Sequence, residues 1–145
     1  METEVDTEQR RTALRRHWEE RIPFNVLCGF RVTRWDADGV TMEVGYEERL
    51  GNSQGSLHGG VLATLIDTAA NGAVAAGDDY TAGSSMATVD LSMQYVAAVR
   101  DRVIVHANCS RRGRQLTFVD VMAVGSDGEL VARGLVTVRV AHRDQ

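Results

Sequence analysis

One aspartate within a long apolar stretch is the residue of this sequence best placed to do chemistry. Asp67 lies inside residues 59–76, which are otherwise mostly Ala, Gly, Val, Leu and Ile. A carboxylate in such surroundings is costly unless it is paired or hydrogen-bonded, so its presence needs a reason. Two interpretations are open. The aspartate is a catalytic carboxylate, which the pattern favours, or a structural one bonded to hydroxyls such as those of Thr64, Thr68 and Thr88.

Two glycines at the start of the same stretch offer a complementary group. Gly59 and Gly60 stand where a helix is predicted to begin, so we expect their N–H groups to be free and aligned with the helix dipole. Without side chains they let a ligand carbonyl approach the backbone, as in an oxyanion hole for acyl transfer. The alternative is that they only permit a tight turn from loop to helix.

The spacing of these groups has a consequence for assembly. Asp67 follows Gly59 by eight residues, which places it on roughly the same helix face but about 11–12 Å along the axis. A carboxylate that far from the oxyanion donors cannot act on the same carbonyl carbon. Two such helices, antiparallel across a two-fold axis, would bring Asp67 of one chain to Gly59 of the other. We therefore predict a symmetric homodimer with shared active sites.

Polar residues on both sides of the helix start could assist. His58 could cap the helix, bond a substrate carbonyl or act as a base, and capping is the commonest of these roles. Asn52 is a turn former whose amide could also orient a water molecule or the Asp67 carboxylate. In the next predicted strand, alternation places Thr88 and Asp90 on one face, which we expect to look towards Asp67.

Three arginines cluster at one predicted hairpin tip, Arg111, Arg112 and Arg114. They form either a solvated turn or a clamp for the phosphates of a nucleotide-bearing substrate. The sequence leaves both interpretations open.

Hydrophobic periodicity predicts the elements that position these groups. They are a helix over 6–21, strands over 30–35 and 40–46, an apolar helix over 59–76, and strands over 86–96, 103–110, 116–124 and 130–140. Short turns separate the last four strands and predict an antiparallel meander. A helix that is apolar on nearly every side must be surrounded. The pattern therefore indicates an α+β fold with a strongly bent antiparallel sheet.

The motif N-x-x-G-x-L-H-G-G from Asn52, followed by Asp67, resembles the hotdog-fold acyl-CoA thioesterases, specifically the phenylacetate-degradation-type group. The resemblance extends over about residues 24–140. It implies a curved antiparallel sheet wrapped around one long central helix, in dimers that often pair into tetramers. We expect residues 1–22 to form an N-terminal helical extension and residues 23–145 a single hotdog domain.

The resemblance also implies roles. Asp67 matches the catalytic carboxylate, regarded as a general base for water or as a nucleophile, and Gly59 matches the N–H that polarises the thioester carbonyl. His58 and Asn52 match helpers that place the carbonyl and water, and Thr88 matches a hydroxyl beside the carboxylate. The further substrate-binding candidates are Gly60, Asn71, Arg111, Arg112 and Arg114. Walls of the acyl pocket are expected from Leu57, Ala63, Asn71 and residues near Tyr95.

The function implied is hydrolysis of an acyl-CoA, with an aryl, short or medium acyl chain, to a free acid and CoA without a metal or cofactor. Two alternatives stay open, a hydratase or dehydratase of the same fold and a non-catalytic acyl-CoA binding module. A histidine beside the glycines suits carbonyl polarisation better than proton movement along the acyl chain. A carboxylate in the same site disfavours pure binding.

Composition excludes several other classes. All 16 basic residues among the 145 are arginine, against 20 acids and a net charge of −4. The chain therefore has no lysine for a Schiff base or a P-loop, and it is a poor candidate for binding nucleic acid or anionic membranes. Cys28 and Cys109 are too few for a disulfide scaffold. The charged N-terminus lacks a signal-peptide core, so we expect a cytoplasmic protein of one compact domain.

Overall fold

One six-stranded antiparallel sheet and one central helix form the body of the protein. The computed structural model describes residues 4–81 and 83–142. Its elements are α1 (Glu4–Glu20), α2 (Pro23–Cys28), β1 (Arg31–Trp35), β2 (Gly39–Gly45), α3 (Gly59–Ala75), β3 (Ser84–Tyr95), β4 (Arg102–Arg112), β5 (Leu116–Gly125) and β6 (Leu130–His142). The outermost residues of the predicted extension (1–22) and domain (23–145) lie outside the described part.

Helix α3 is surrounded, as its apolar sequence predicts. It contacts β2, β3, β4, β5 and β6, and Leu65, Ile66 and Ala69 have no exposed surface. On the side away from the sheet, Trp18 of α1 packs against Gly72, where an added Cβ would lie 3.1 Å from its indole nitrogen. The small residues of α3 therefore serve close packing on both sides. This is the predicted α+β hotdog architecture.

The strand order differs from the predicted meander. The sheet runs β1-β2-β4-β5-β6-β3, so β3 pairs with β6 and lies at an edge. The segment between β3 and β4 does not close a hairpin. Its backbone instead bonds to Val131 at the start of β6 and to Leu57 and Tyr46 in the loop region. These bonds carry the chain across the end of the sheet.

The two edges of the sheet differ in whether other parts of the chain cover them. At β1, the backbone of Val32 is bonded by side chains of α1, since its N–H donates to Glu19 and its carbonyl accepts from Arg15. No element of the described residues covers β3 on its outer side, and its Val89 and Tyr95 are more than half exposed. The long edge of the sheet is therefore open while the short one is blocked.

Helix α2 was not predicted. Pro23, interpreted as the end of the first helix, instead begins this second helix in the position that proline favours. Gly29 ends it at a φ of 74°, a left-handed conformation that glycine adopts readily. Asn25 of α2 donates to the carbonyl of Trp18 and to the Thr68 hydroxyl, which ties α1 and α2 to α3.

Candidate active site

The loop before α3 is built around Asn52. Its side-chain oxygen accepts from the N–H groups of Gln54 (2.9 Å) and Ser56 (3.1 Å), and its amide nitrogen donates to the Ser56 hydroxyl at 2.9 Å. Such a turn is typical of asparagine. Asn52 does not contact Asp67 of its own chain, so its role in placing water or substrate stays a prediction.

His58 caps α3. Its Nδ1 accepts from the Gly60 N–H at 2.9 Å, which satisfies one of the unpaired donors of the helix start. The neutral ring with Nδ1 as acceptor carries its proton on Nε2, so this exposed histidine also has a donor to offer. The expectation that both glycine N–H groups are free is therefore wrong for Gly60, because the histidine side chain has taken that donor.

The N–H of Gly59 has no hydrogen-bond partner among the described residues. It lies at the start of a 17-residue helix, where the dipole favours developing negative charge. Tyr95 contacts this residue directly. Its hydroxyl donates to the Gly59 carbonyl at 2.8 Å, and a Cβ on Gly59 would lie 3.3 Å from its ring. Glycine here therefore meets a packing need as well as leaving the donor accessible.

Asp67 is held by two neighbours. The Thr88 hydroxyl donates to Oδ1 of Asp67 at 2.7 Å, and the Asn71 amide lies 3.3 Å from the same oxygen. Asn71 also donates to the Thr88 hydroxyl at 2.8 Å, so the three side chains form one network. Both contacts fall on Oδ1, and Oδ2 has no partner among the described residues. Asp67 is half-buried rather than buried, and its second oxygen is available to a ligand.

Only one of the three candidate hydroxyls reaches this carboxylate. The Thr64 hydroxyl donates to the Gly60 carbonyl of its own helix, and that of Thr68 accepts from Asn25. Asn71 supports the carboxylate, and its predicted contact with substrate stays a prediction.

Asp90 does not face Asp67, contrary to prediction. A bulge between Thr88 and Asp90 shifts the register of β3 against β6. Leu91 and Met93 then turn inwards, and Asp90 is exposed. A bulge inserts one residue and reverses the alternation beyond it, which explains why Thr88 alone was placed correctly.

Arg112 is not available as a phosphate ligand. Its guanidinium donates to the carbonyls of Ala73 (3.0 Å) and Val74 (3.2 Å) in the last turn of α3, and it lies 3.5 Å from the Asp79 carboxylate. These groups use the cation to cap the helix C-terminus. The interpretation of Arg112 as part of a clamp is therefore corrected.

Other arginines remain available at the two ends of α3. Arg111 and Arg114 are exposed, near the C-terminal end, and bond to no side chain of the described residues. Arg100 stands at the other end, where it donates to the Gln54 carbonyl at 3.0 Å. The sequence pointed to the hairpin cluster and missed Arg100, because a single arginine in a loop carries no pattern.

A cavity of about 340 Å³ adjoins the N-terminus of α3. Gly59, Leu57 and Tyr95 line it, as does Asn52. Two residues expected in the acyl pocket, Leu57 and Tyr95, are thus beside the free N–H. Asp67 lies outside this cavity, about 12 Å further along α3.

Comparison with known proteins decides the family. Residues 54–132, more than half of the chain, match a family model described as the thioesterase superfamily. The chain belongs to the thioesterase superfamily. The matched segment includes Gly59, Asp67 and Thr88, and it begins just after Asn52.

Similar proteins agree with this assignment. Mouse acyl-coenzyme A thioesterase 13 is 30% identical over 95 residues, which are 63% of this chain and 66% of that protein. A Halobacterium salinarum protein, provisionally named an esterase, is 33% identical over 92 residues, 61% of each chain. The chain thus spans about three fifths to two thirds of these relatives. A thioesterase family protein from Silicibacter pomeroyi shares the fold, with a TM-score of 0.83 over 92% of this chain and 99% of that one at 22% identity.

Residues 4–81 and 83–142 lack the features of two other classes of site. No helix there is both long and apolar enough to cross a bilayer, and no three His, Cys, Asp or Glu side chains there are grouped as metal ligands. Burial raises the pKa of the Cys28 and Cys109 thiols. A thiol with a raised pKa is a weaker candidate nucleophile at neutral pH than the Asp67 carboxylate.

Proposed function

We propose that this superfamily member hydrolyses acyl-CoA thioesters to a free acid and CoA. The observation that carries the proposal is that one helix carries two accessible groups suited to this reaction. These are the unbonded Gly59 N–H at the start of α3 and the Asp67 carboxylate, whose Oδ1 is held and whose Oδ2 is open. An N–H at a helix start suits a thioester oxyanion, and a fixed carboxylate suits activation of water.

The two groups would act together across a dimer. Within one chain they are about 12 Å apart along α3, too far to serve one carbonyl carbon. The open β3 edge offers the surface for a second copy, because antiparallel pairing of two β3 strands would continue the sheet and place the two α3 helices side by side. Asp67 of one subunit would then meet Gly59 of the other, with two sites per dimer.

The proposed reaction uses water and groups of the chain. The thioester oxygen accepts a hydrogen bond from the Gly59 N–H. Asp67 removes a proton from a water molecule while the oxygen of that water forms a bond to the carbonyl carbon. Collapse of the tetrahedral intermediate breaks the carbon–sulfur bond, and the CoA sulfur leaves with the proton that Asp67 held. Asp67 attacking directly, through an anhydride, is the other route. A single turnover in heavy-oxygen water tests the anhydride route, because label can enter Asp67 only when water attacks the Asp67 carbon of an anhydride.

The network around Asp67 supports this role. Thr88 and Asn71 orient the carboxylate without neutralising it, since neither carries a charge. Arg111 and Arg114 stay proposed contacts for the CoA phosphates, now without Arg112. Their test is the KM for the CoA ester compared with that for a pantetheine ester, which lacks the nucleotide phosphates.

Substitution of Asp67 tests the activity. We expect Asp67→Asn to lower kcat by about 10²–10⁴-fold on every acyl-CoA that the wild type hydrolyses, because the amide cannot take a proton from water. The matched control is Asp120→Asn, since Asp120 is exposed on the outer face of β5, and it should leave kcat unchanged.

The assay should follow free thiol and hydration of enoyl-CoA in parallel over aryl, short and medium acyl groups. Thiol release that depends on Asp67 supports the proposal. Hydration without thiol release would indicate the hydratase alternative, and binding without either reaction would indicate a binding module.

A further inference from the structure

A second cavity, the α1 cavity, lies between the N-terminal helix and the start of β3. It has a volume of about 460 Å³, and its lining includes Arg10, Ala13, Leu14, His17, Trp18, Tyr80 and Ser84. This volume is within the range of small-molecule sites. Its walls are mainly aromatic and aliphatic, and its polar groups are cationic or neutral.

The α1 cavity is connected to the candidate site through two elements. The indole N–H of Trp18 donates to the carbonyl of Thr68, the residue after Asp67, at 2.8 Å. On β3, Ser84 and Thr88 lie on the same inward face with Met86 between them. Four strand residues span about 13 Å, so the cavity begins about one medium acyl chain away from the Thr88–Asp67 pair.

The far end of the α1 cavity carries excess positive charge. Arg10 and Arg11 share a single carboxylate, that of Asp78, at 3.7 Å and 2.7 Å. The neighbouring Asp79 is paired with Arg112 instead. One guanidinium charge therefore has no counter-ion of its own among the described residues that surround the cavity.

Arg10 also has hydrogen-bonding capacity left over. One terminal nitrogen, Nη1, donates to the carbonyl of Tyr80, which fixes the side chain. The other two nitrogens, Nε and Nη2, are buried and have no hydrogen-bond partner within the described residues, and Nη2 is the atom that lies 3.7 Å from the Asp78 carboxylate. Buried donors without partners are uncommon and costly. Because both have almost no accessible surface, the guanidinium would turn towards the cavity to bind a ligand carboxylate, with the paired geometry that guanidinium groups favour.

We propose that the α1 cavity is the distal acyl subsite and that it selects acyl groups ending in a carboxylate. The proposal rests on the proposed thioester hydrolysis. With the thioester carbonyl at Asp67, an apolar acyl chain would run along the inward face of β3 past Met86. It would then pack against Leu14 and Trp18, and its terminal carboxylate would bind Arg10. The preferred substrates are then CoA thioesters of dicarboxylic acids.

Matched substrates test the charge. Sebacyl-CoA and decanoyl-CoA have the same chain length and differ in the terminal carboxylate. We expect wild type to have the higher kcat/KM on sebacyl-CoA, and Arg10→Gln to lower that value about ten-fold or more while changing decanoyl-CoA and acetyl-CoA less than about two-fold. Arg10→Lys should retain part of the preference because it keeps the charge. Arg16→Gln is the control, since Arg16 is exposed on α1 and does not line the cavity.

A second pair of variants tests the cavity without touching Arg10. Ala13→Trp would fill it from an exposed helix position, and we expect the kcat/KM for sebacyl-CoA to fall about ten-fold with acetyl-CoA unaffected. Thr12→Trp adds the same bulk at the adjacent position, which does not line the cavity, and should change neither substrate. Equal losses on long and short substrates, or no loss on either, would overturn the subsite.

Binding measurements separate this proposal from the proposed function. Calorimetry on Asp67→Asn should show tighter binding of sebacyl-CoA than of decanoyl-CoA, and adding Arg10→Gln should abolish the difference. If the binding preference is present but no variant or wild type releases thiol, the hydrolase proposal fails and the subsite stands. If thiol is released with no preference for the carboxylate, the subsite fails and the hydrolase proposal stands.

Discussion

The residues of the proposed site divide into those that would act on a ligand and those that hold them in place. Asp67 has one oxygen fixed by Thr88 and Asn71 and one left open, while Gly59 keeps an unbonded N–H. The places of Asp67 and Gly59 could be predicted from sequence because each departs from its surroundings, a carboxylate in an apolar helix and a glycine at a helix start. Their roles in catalysis stay predictions. Their mutual distance also follows from the helix repeat alone.

The supporting contacts could not be predicted in the same way. Whether the Gly60 N–H is left without a hydrogen-bond partner depends on the rotamer of His58. Whether Arg112 bonds to carbonyls of α3 depends on where the hairpin tip meets the end of that helix. The contact of Tyr95 with Gly59 joins residues 36 positions apart. Such contacts are set by tertiary packing, which local sequence patterns do not encode.

Removing the backbone N–H of residue 59 tests the role of Gly59. Proline is well tolerated as the first residue of a helix, so Gly59→Pro removes the N–H with little effect on α3. We expect kcat to fall about 10²–10³-fold, the usual cost of one oxyanion donor. Gly59→Ala is the control. It adds the same Cβ beside Tyr95 but keeps the N–H, and steady-state kinetics should show most of the activity retained.

At the scale of elements, the sequence identified α3 and six strands, within a few residues of their ends, because their hydrophobic periods differ. It did not identify the position of β3, since alternation marks a strand but not its neighbours. The sequence also gave no sign of the bulge that turns Asp90 outwards, because Val89 fits the alternation of a regular strand. The error in strand order matters for the proposed function, since the proposed dimer would use the exposed edge of β3.

The C-terminal cap of α3 is a structural prediction at this scale. Arg112→Gln should lower the free energy of unfolding by about 1–3 kcal/mol, because the carbonyls of Ala73 and Val74 lose a charged donor. Arg114→Gln, in the exposed part of the same hairpin, should leave stability unchanged. Denaturant titration gives both values. An increase in the KM for CoA esters without a loss of stability in Arg112→Gln would contradict the capping role.

At the scale of the whole molecule, one chain carries both proposed catalytic groups, but they lie too far apart to act in the same site. The N-terminal end of α3 offers the oxyanion donor, and its middle offers the carboxylate. The blocked β1 edge and the open β3 edge would direct the proposed association to one side of the sheet. The account's central claim is that each active site uses Gly59 of one subunit and Asp67 of its partner.

Mixed dimers test that claim most directly. Asp67→Asn and Gly59→Pro chains carrying different affinity tags would be co-expressed, and dimers with one of each purified through both tags. Shared sites predict that each homodimer is inactive and that the mixed dimer has about half of the wild-type kcat per dimer, because one of its two sites combines an intact Asp67 with an intact Gly59. A mixed dimer as inactive as the homodimers would show that each chain uses its own pair, and would contradict the shared site.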